Sequence, residues 1–137
     1  MTIINDVVSK LPEAVECEYL NKNTKIVPKG WGKEFWIANK SDYCGKLLIF
    51  DFNKRCSWHF HRLKDETFCV QDGQFKITYG WSDDLNEAQN ITLNKGDTFY
   101  VPRGLRHSML ALTNQAILVE ISTEHFDEDS YRVIPGD

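Results

Sequence analysis

Apolar and polar positions alternate along much of this chain in short runs, and apolar residues almost nowhere recur at helical spacing. Runs at 34–38, 45–52, 57–61, 67–71, 74–79, 91–93, 98–101, 107–112 and 116–122 are therefore expected as strands. Turn residues separate them. Asp72-Gly73 is expected as a two-residue hairpin turn, Asn94 to Asp97 as another turn, and 81–88 as a longer polar loop. Residues 3–11 carry a weak helical signal that Pro12 ends. So many strands with so little helix predict an all-β domain closed, or nearly closed, into an antiparallel barrel.

Composition narrows the function classes. At 137 residues and 42% hydrophobic content, the chain is expected to fold as one domain over 1–137 with its core barrel at about 30–123. A net charge of −4 without a basic stripe argues against a nucleic-acid partner. No apolar run approaches membrane-spanning length and no cationic leader opens the chain, so a cytoplasmic protein with no membrane partner is expected. Cys17, Cys44, Cys56 and Cys69 show no CxxC spacing and read as free thiols. Cys69, between Phe68 and Val70, reads as a small buried hydrophobe. If 56–61 is one strand, Cys56 faces away from His59 and His61.

Those histidines carry the chemistry. Residues two apart on a strand share a face, so His59 and His61 can offer both imidazoles to one ion while Phe60 packs on the other side. After a short turn Glu66 adds a carboxylate, and His107, beyond a Pro-x-Gly turn at Pro102 to Gly104, closes the set. Three nitrogens and one oxygen suit one divalent transition ion of the Zn, Mn, Fe, Ni or Co type. His125, beside Glu124 and before an acidic run, reads as a surface residue.

The strings from His59 to Gly73 and from Gly96 to His107 resemble the two motifs of the cupin superfamily, HxH(x)4E(x)6G and G(x)5PxG(x)2H. Two positions depart from the pattern: Asn53 stands where the first motif opens on glycine, and Ala111 where the second closes on asparagine. The resemblance implies a cupin-type double-stranded β-helix, the jelly-roll barrel, with a short N-terminal helical segment in this chain. It implies the same metal ligands: His59, His61, Glu66 and His107. Small cupins commonly pair through their outer strands, which makes a homodimer the expectation.

The flanks resemble the cupin domain of type II phosphomannose isomerases, through Lys29-Gly30-Trp31-Gly32 upstream and Val119-Glu120-Ile121-Ser122 with 126–132 downstream. This implies a sugar or sugar phosphate as the small-molecule ligand. An aldose–ketose isomerase needs a metal to polarise sugar oxygens, a base to move a proton between carbons, and donors for hydroxyls or phosphate. Glu120, a carboxylate in the apolar run Ile117 to Ile121, is the candidate base if its side chain points inward. Arg132, matching the family's C-terminal arginine, and Lys64 are candidate anion contacts. Trp31, Trp36, Trp58 and Trp81 are candidates for an aromatic wall, with Trp31 and Trp36 also suited to core or dimer packing. Two other classes fit the same ligands: a non-catalytic sugar-binding cupin and an Fe(II)-dependent dioxygenase of a small substrate.

Overall fold

The structure is a computed structural model and describes residues 17–137. The expected helix at 3–11 lies outside the described residues. Among the described residues eleven strands form two antiparallel sheets, the first ordered β1-β2-β3-β10-β5-β8 and the second β11-β4-β9-β6-β7. Their ranges are β1 Lys25–Lys29, β2 Gly32–Asn39, β3 Cys44–Phe50, β4 Trp58–Phe60, β5 Glu66–Asp72, β6 Phe75–Gly80, β7 Gln89–Leu93, β8 Thr98–Val101, β9 Arg106–Ala111, β10 Ala116–Ser122 and β11 Tyr131–Ile134. This is the all-β fold expected from the strand pattern, in the jelly-roll form that the cupin resemblance implies.

Period-two alternation determines the inward faces. In β3 the buried residues are Cys44, Lys46, Leu48 and Phe50; in β10 they are Ala116, Leu118, Glu120 and Ser122; in β5, Glu66, Phe68 and Val70. Register stacks these into rows. Lys46 pairs with Glu120, which pairs with Phe68, and the next row is Cys44, Ser122 and Glu66. The inner face of the first sheet is thus apolar toward Phe50 and Ala116 and charged toward Cys44 and Glu66. Where it is apolar it packs on the other sheet, with Phe50 edge-on to Phe75 at 5.2 Å between ring centroids.

Several local expectations change. Strands β1 and β11, at 25–29 and 131–134, were not expected because neither shows clean alternation; β1 pairs along β2 and β11 along β4. Asp72-Gly73 turns the chain but makes no hairpin, because β5 lies in the first sheet and β6 in the second. Gly73 sits at φ +74°, where a Cβ would run into Thr113 and Ala116. The loop at 81–88 contains a 3-10 turn, Leu85–Glu87, capped by the Asp84 side chain. Cys69 faces outward from β5 and is half-buried rather than buried. The two departures from the family motifs meet: Asn53 donates its backbone N–H to the Ala111 carbonyl at 3.0 Å. Asn53 adopts φ +61°, a left-handed conformation that asparagine tolerates better than most residues, so the glycine of the pattern is replaceable there.

Candidate metal centre

The charged ends of the two sheets face one another, and the metal-ligand candidates collect there. His59 on β4 lies directly opposite His107 on β9, with ring centroids 4.3 Å apart. His61, just past the end of β4, keeps the same face two residues on. One ring nitrogen from each of the three lies within 4.8 Å of the others. Glu66 approaches from the facing sheet, with its carboxylate 3.2 Å from His107 Nε2 and 3.7 Å from His61 Nε2. All four expected ligand residues are therefore brought together, with the three imidazoles as the tighter group.

Each imidazole is oriented by a backbone carbonyl. Nδ1 of His59 lies 2.8 Å from the Ser57 carbonyl, Nδ1 of His61 3.0 Å from that of Asp129, and Nδ1 of His107 2.9 Å from that of Leu105. A carbonyl oxygen can only accept, so Nδ1 carries the proton in each ring and Nε2 keeps its lone pair for the centre. His107 Nε2 is buried without a hydrogen bond and faces a carboxylate oxygen. Two electron pairs opposed at 3.2 Å repel unless a cation lies between them, so the donor set fits a divalent ion. Burial reinforces this fit by disfavouring imidazolium. It drives the pKa of His59 well below the ordinary histidine value, helped by the neighbouring imidazoles, and lowers that of His61 to about 4.

Asp129 was not anticipated and holds this arrangement in place. Its buried carboxylate accepts backbone N–H groups from Arg62, Leu63 and Lys64 at 2.9, 3.0 and 3.0 Å, fixing the turn between His61 and Glu66. Its carbonyl orients His61. The one sequence signal was the family-like string at 126–132.

A cavity of about 490 Å3 opens from the centre and is lined by Trp31, Trp36, Lys46, Lys64, Glu120 and His125 among others. Glu120 points inward and is 3% exposed. Burial raises its pKa, and this outweighs the attraction of the Lys64 ammonium. Lys64, expected as an anion contact, is instead buried between two carboxylates, 3.1 Å from Glu66 and 3.2 Å from Glu120. Burial alone would lower its pKa, but those two charges raise it above the ordinary lysine value. In the same network burial opposes ionisation of Glu66, yet the Lys64 ammonium holds its pKa well below the usual range.

Arg132 pairs in register with His59 and reaches the cavity rim. Trp31 and Trp36 line the cavity; Trp58 instead donates its indole N–H to the Asp83 carbonyl, and Trp81 stands 65% exposed elsewhere. His125 is not the surface residue expected from its acidic neighbours. Its Nδ1 lies 3.2 Å from the Lys64 ammonium, its Nε2 2.9 Å from Asp127, and its ring stands edge-on to Trp36. Cys56 also departs from expectation: β4 starts only at Trp58, so alternation does not extend back to Cys56, which is buried, lines the cavity and contacts Met109. Lys46 and Glu34, two further charged groups of the cavity, were missed.

Comparison with known proteins agrees with this geometry. No curated protein matches the chain. Among solved structures, KdgF from Halomonas sp. is similar with a TM-score of 0.61 and 21% identity, over 70% of this chain and 81% of that one. The capsular polysaccharide assembling protein CapF from Staphylococcus aureus gives 0.71 and 19%, over 82% of this chain and 33% of its own. Oxalate decarboxylase from Bacillus subtilis gives 0.69 and 16%, over 80% and 30%. This chain therefore spans about a third of the latter two, and at these identities the likeness is one of fold. A cupin domain profile matches residues 47–122, more than half of the chain and a stretch holding all four ligand candidates, so the chain belongs to the cupin domain family.

Proposed function

We propose that this cupin is a metal-dependent isomerase or epimerase of a small sugar or sugar phosphate, removing the proton from the carbon beside the carbonyl and returning it to the neighbouring carbon in an isomerisation or to the same carbon in an epimerisation. The observation that carries this reading is the state of Glu120. Both hydrogen bonds it receives, from Lys64 Nζ at 3.2 Å and Ser122 Oγ at 3.0 Å, fall on Oε2. Oε1 accepts no hydrogen bond among the described residues, in a cavity that His59, His61 and Glu66 also line. A carboxylate with one oxygen pinned, the other available and a raised pKa is built to take up and return a proton.

A divalent ion of the Zn, Mn, Fe, Ni or Co type, held by His59, His61, His107 and Glu66, would supply polarisation of the sugar's oxygens. Glu120 removes the proton from the carbon beside the carbonyl and delivers it to the neighbouring or the same carbon. Lys64 holds Glu66 and Glu120 in fixed relation and screens the repulsion between them. Trp31, stacked on Phe50 on one side, lines the cavity with an apolar surface for the sugar's carbon skeleton, and Arg132 stands at the rim to meet a charged substituent.

The outer face of the first sheet supports a homodimer. Phe35, Leu47, Val119 and Cys69 form one cross-strand row, and Ile37 and Ile121 stand 56% and 63% exposed. The four cysteines are unpaired, in keeping with a reducing, cytoplasmic setting, and no helix among the described residues is long and apolar enough to cross a membrane.

The test is solvent exchange. Metal-loaded protein incubated with aldoses and their phosphates in deuterated water should place deuterium on the carbon next to the carbonyl, and Glu120→Gln should abolish this with the metal retained. Absence of exchange with every sugar and every metal overturns the reading. Saturable sugar binding without exchange would then assign a binding cupin, and oxygen consumption with Fe(II) a dioxygenase.

A further inference from the structure

Lys46 and Lys64 are buried to nearly the same degree, at 1% and 4% exposure, yet their surroundings are opposite. Lys64 has two carboxylates at 3.1 and 3.2 Å. The nearest carboxylate to Lys46 is Glu34 at 3.6 Å, outside hydrogen-bond range, and the same Glu34 oxygen already accepts the Trp36 indole N–H at 3.0 Å. Glu120, its cross-strand neighbour on β10, receives its hydrogen bonds from Lys64 and Ser122 instead. The Lys46 ammonium rests over the Trp36 ring, 4.0 Å from the centroid, with no hydrogen-bond acceptor among the described residues. A buried ammonium in that position is costly, and it faces the cavity. Burial lowers its pKa, and the attraction of Glu120 and Glu34 does not make up the difference.

The charge balance of the cavity agrees. Its inner wall sets Lys46 and Lys64 against Glu34, Glu66 and Glu120, so a divalent ion at the histidines turns a small negative excess into a positive one. At the rim Lys25, Lys29 and Arg132 outnumber Asp127 and Asp137, and the Lys25 ammonium also lies against Trp36, at 4.1 Å. A neutral sugar leaves that excess uncompensated; an anionic one neutralises it.

We infer that Lys46, seated on Trp36 in the sheet facing the histidines, is the anchor for a negatively charged group of the ligand, which makes that ligand an acidic sugar. The inference rests on the sugar reading given above and adds what the sugar carries. Carboxylate and phosphate share the chemistry that Lys46 recognises, so uronates and sugar phosphates are both admitted. Lys64, its charge already matched by two carboxylates, is left to hold the proton-transfer machinery together.

Isothermal titration calorimetry of zinc-loaded protein tests this with four probes: glucuronate, glucose 6-phosphate, glucose and inorganic phosphate. One or both acids should bind at least about tenfold more tightly than glucose, and Lys46→Met should reduce that ratio about tenfold while Lys46→Arg keeps most of it. Which acid is preferred identifies the source of the charge. Acids no tighter than glucose in the wild type overturn the inference whether or not the variant folds, as does an unchanged ratio in a folded Lys46→Met. Lys46-dependent binding of phosphate with no sugar bound keeps the anchor and removes the sugar reading. Deuterium exchange that is indifferent to sugar charge keeps the isomerase reading and removes the anchor.

Discussion

His59 and His107 are cross-strand partners in one antiparallel pair, β4 and β9, each with Nδ1 bound to a carbonyl two residues before it, Ser57 and Leu105. Two independent strands thus present the same tautomer to the same point. The purified protein should carry close to one divalent ion per chain, and His59→Ala, His61→Ala or His107→Ala should each lose most of it. Elemental analysis of the three variants decides this. Chelator should also lower the melting temperature of the wild type, because the ion joins strands of both sheets.

His61 makes stability pH-dependent in a definite direction. Its pKa falls from 6.5 to about 4 on folding, so between those values the unfolded chain binds the proton that the folded chain refuses. Its contribution is complete above about pH 6.5 and is lost as the pH falls toward 4. The slope is at most ~1.4 kcal/mol per pH unit for one such group. In chelator-treated protein the urea midpoint should fall across this window, and His61→Gln should flatten part of the decline. A midpoint that is level from pH 6.5 to 4.5 in the wild type contradicts this.

Removing Lys64 leaves Glu66 and Glu120, both nearly fully buried, without their shared counter-charge. Lys64→Met should cost on the order of 3–5 kcal/mol, as breaking a buried pair does. Adding Glu120→Gln should recover part of it, and urea denaturation of the single and double variants measures the coupling.

The outer sheet face gives a prediction about assembly. Leu47 and Val119 are cross-strand neighbours pointing away from the cavity, so Leu47→Glu or Val119→Lys puts a charge in the middle of the proposed contact. Sedimentation should show a dimer for the wild type and a monomer for either variant, with the metal retained. A wild-type monomer refutes the contact.

Much of this protein could be read from its sequence wherever the governing rule is local. The strands at 98–101 and 116–122 appear as expected, because alternation needs only the residues of the strand itself. The same rule places His59 and His61 on one face and Glu120 on one face with Leu118 and Ser122, although only the tertiary structure shows that face of β10 to be the buried one. Where the rule is not local, only the tertiary structure decided. Strands β1 and β11 owe their conformation to neighbours on β2 and β4 and lack a pattern of their own. Asp72-Gly73 has the chemistry of a hairpin, but the pairing of β5 with β10 and β8 sends the chain to the other sheet. Lys46, Lys64 and His125 look like solvated charges beside their sequence neighbours. Whether a charge can be buried depends on the charges facing it: Glu66 and Asp127 lie two residues from Lys64 and His125 in the sequence, but Glu34 meets Lys46, and Glu120 meets Lys64, only through the tertiary structure.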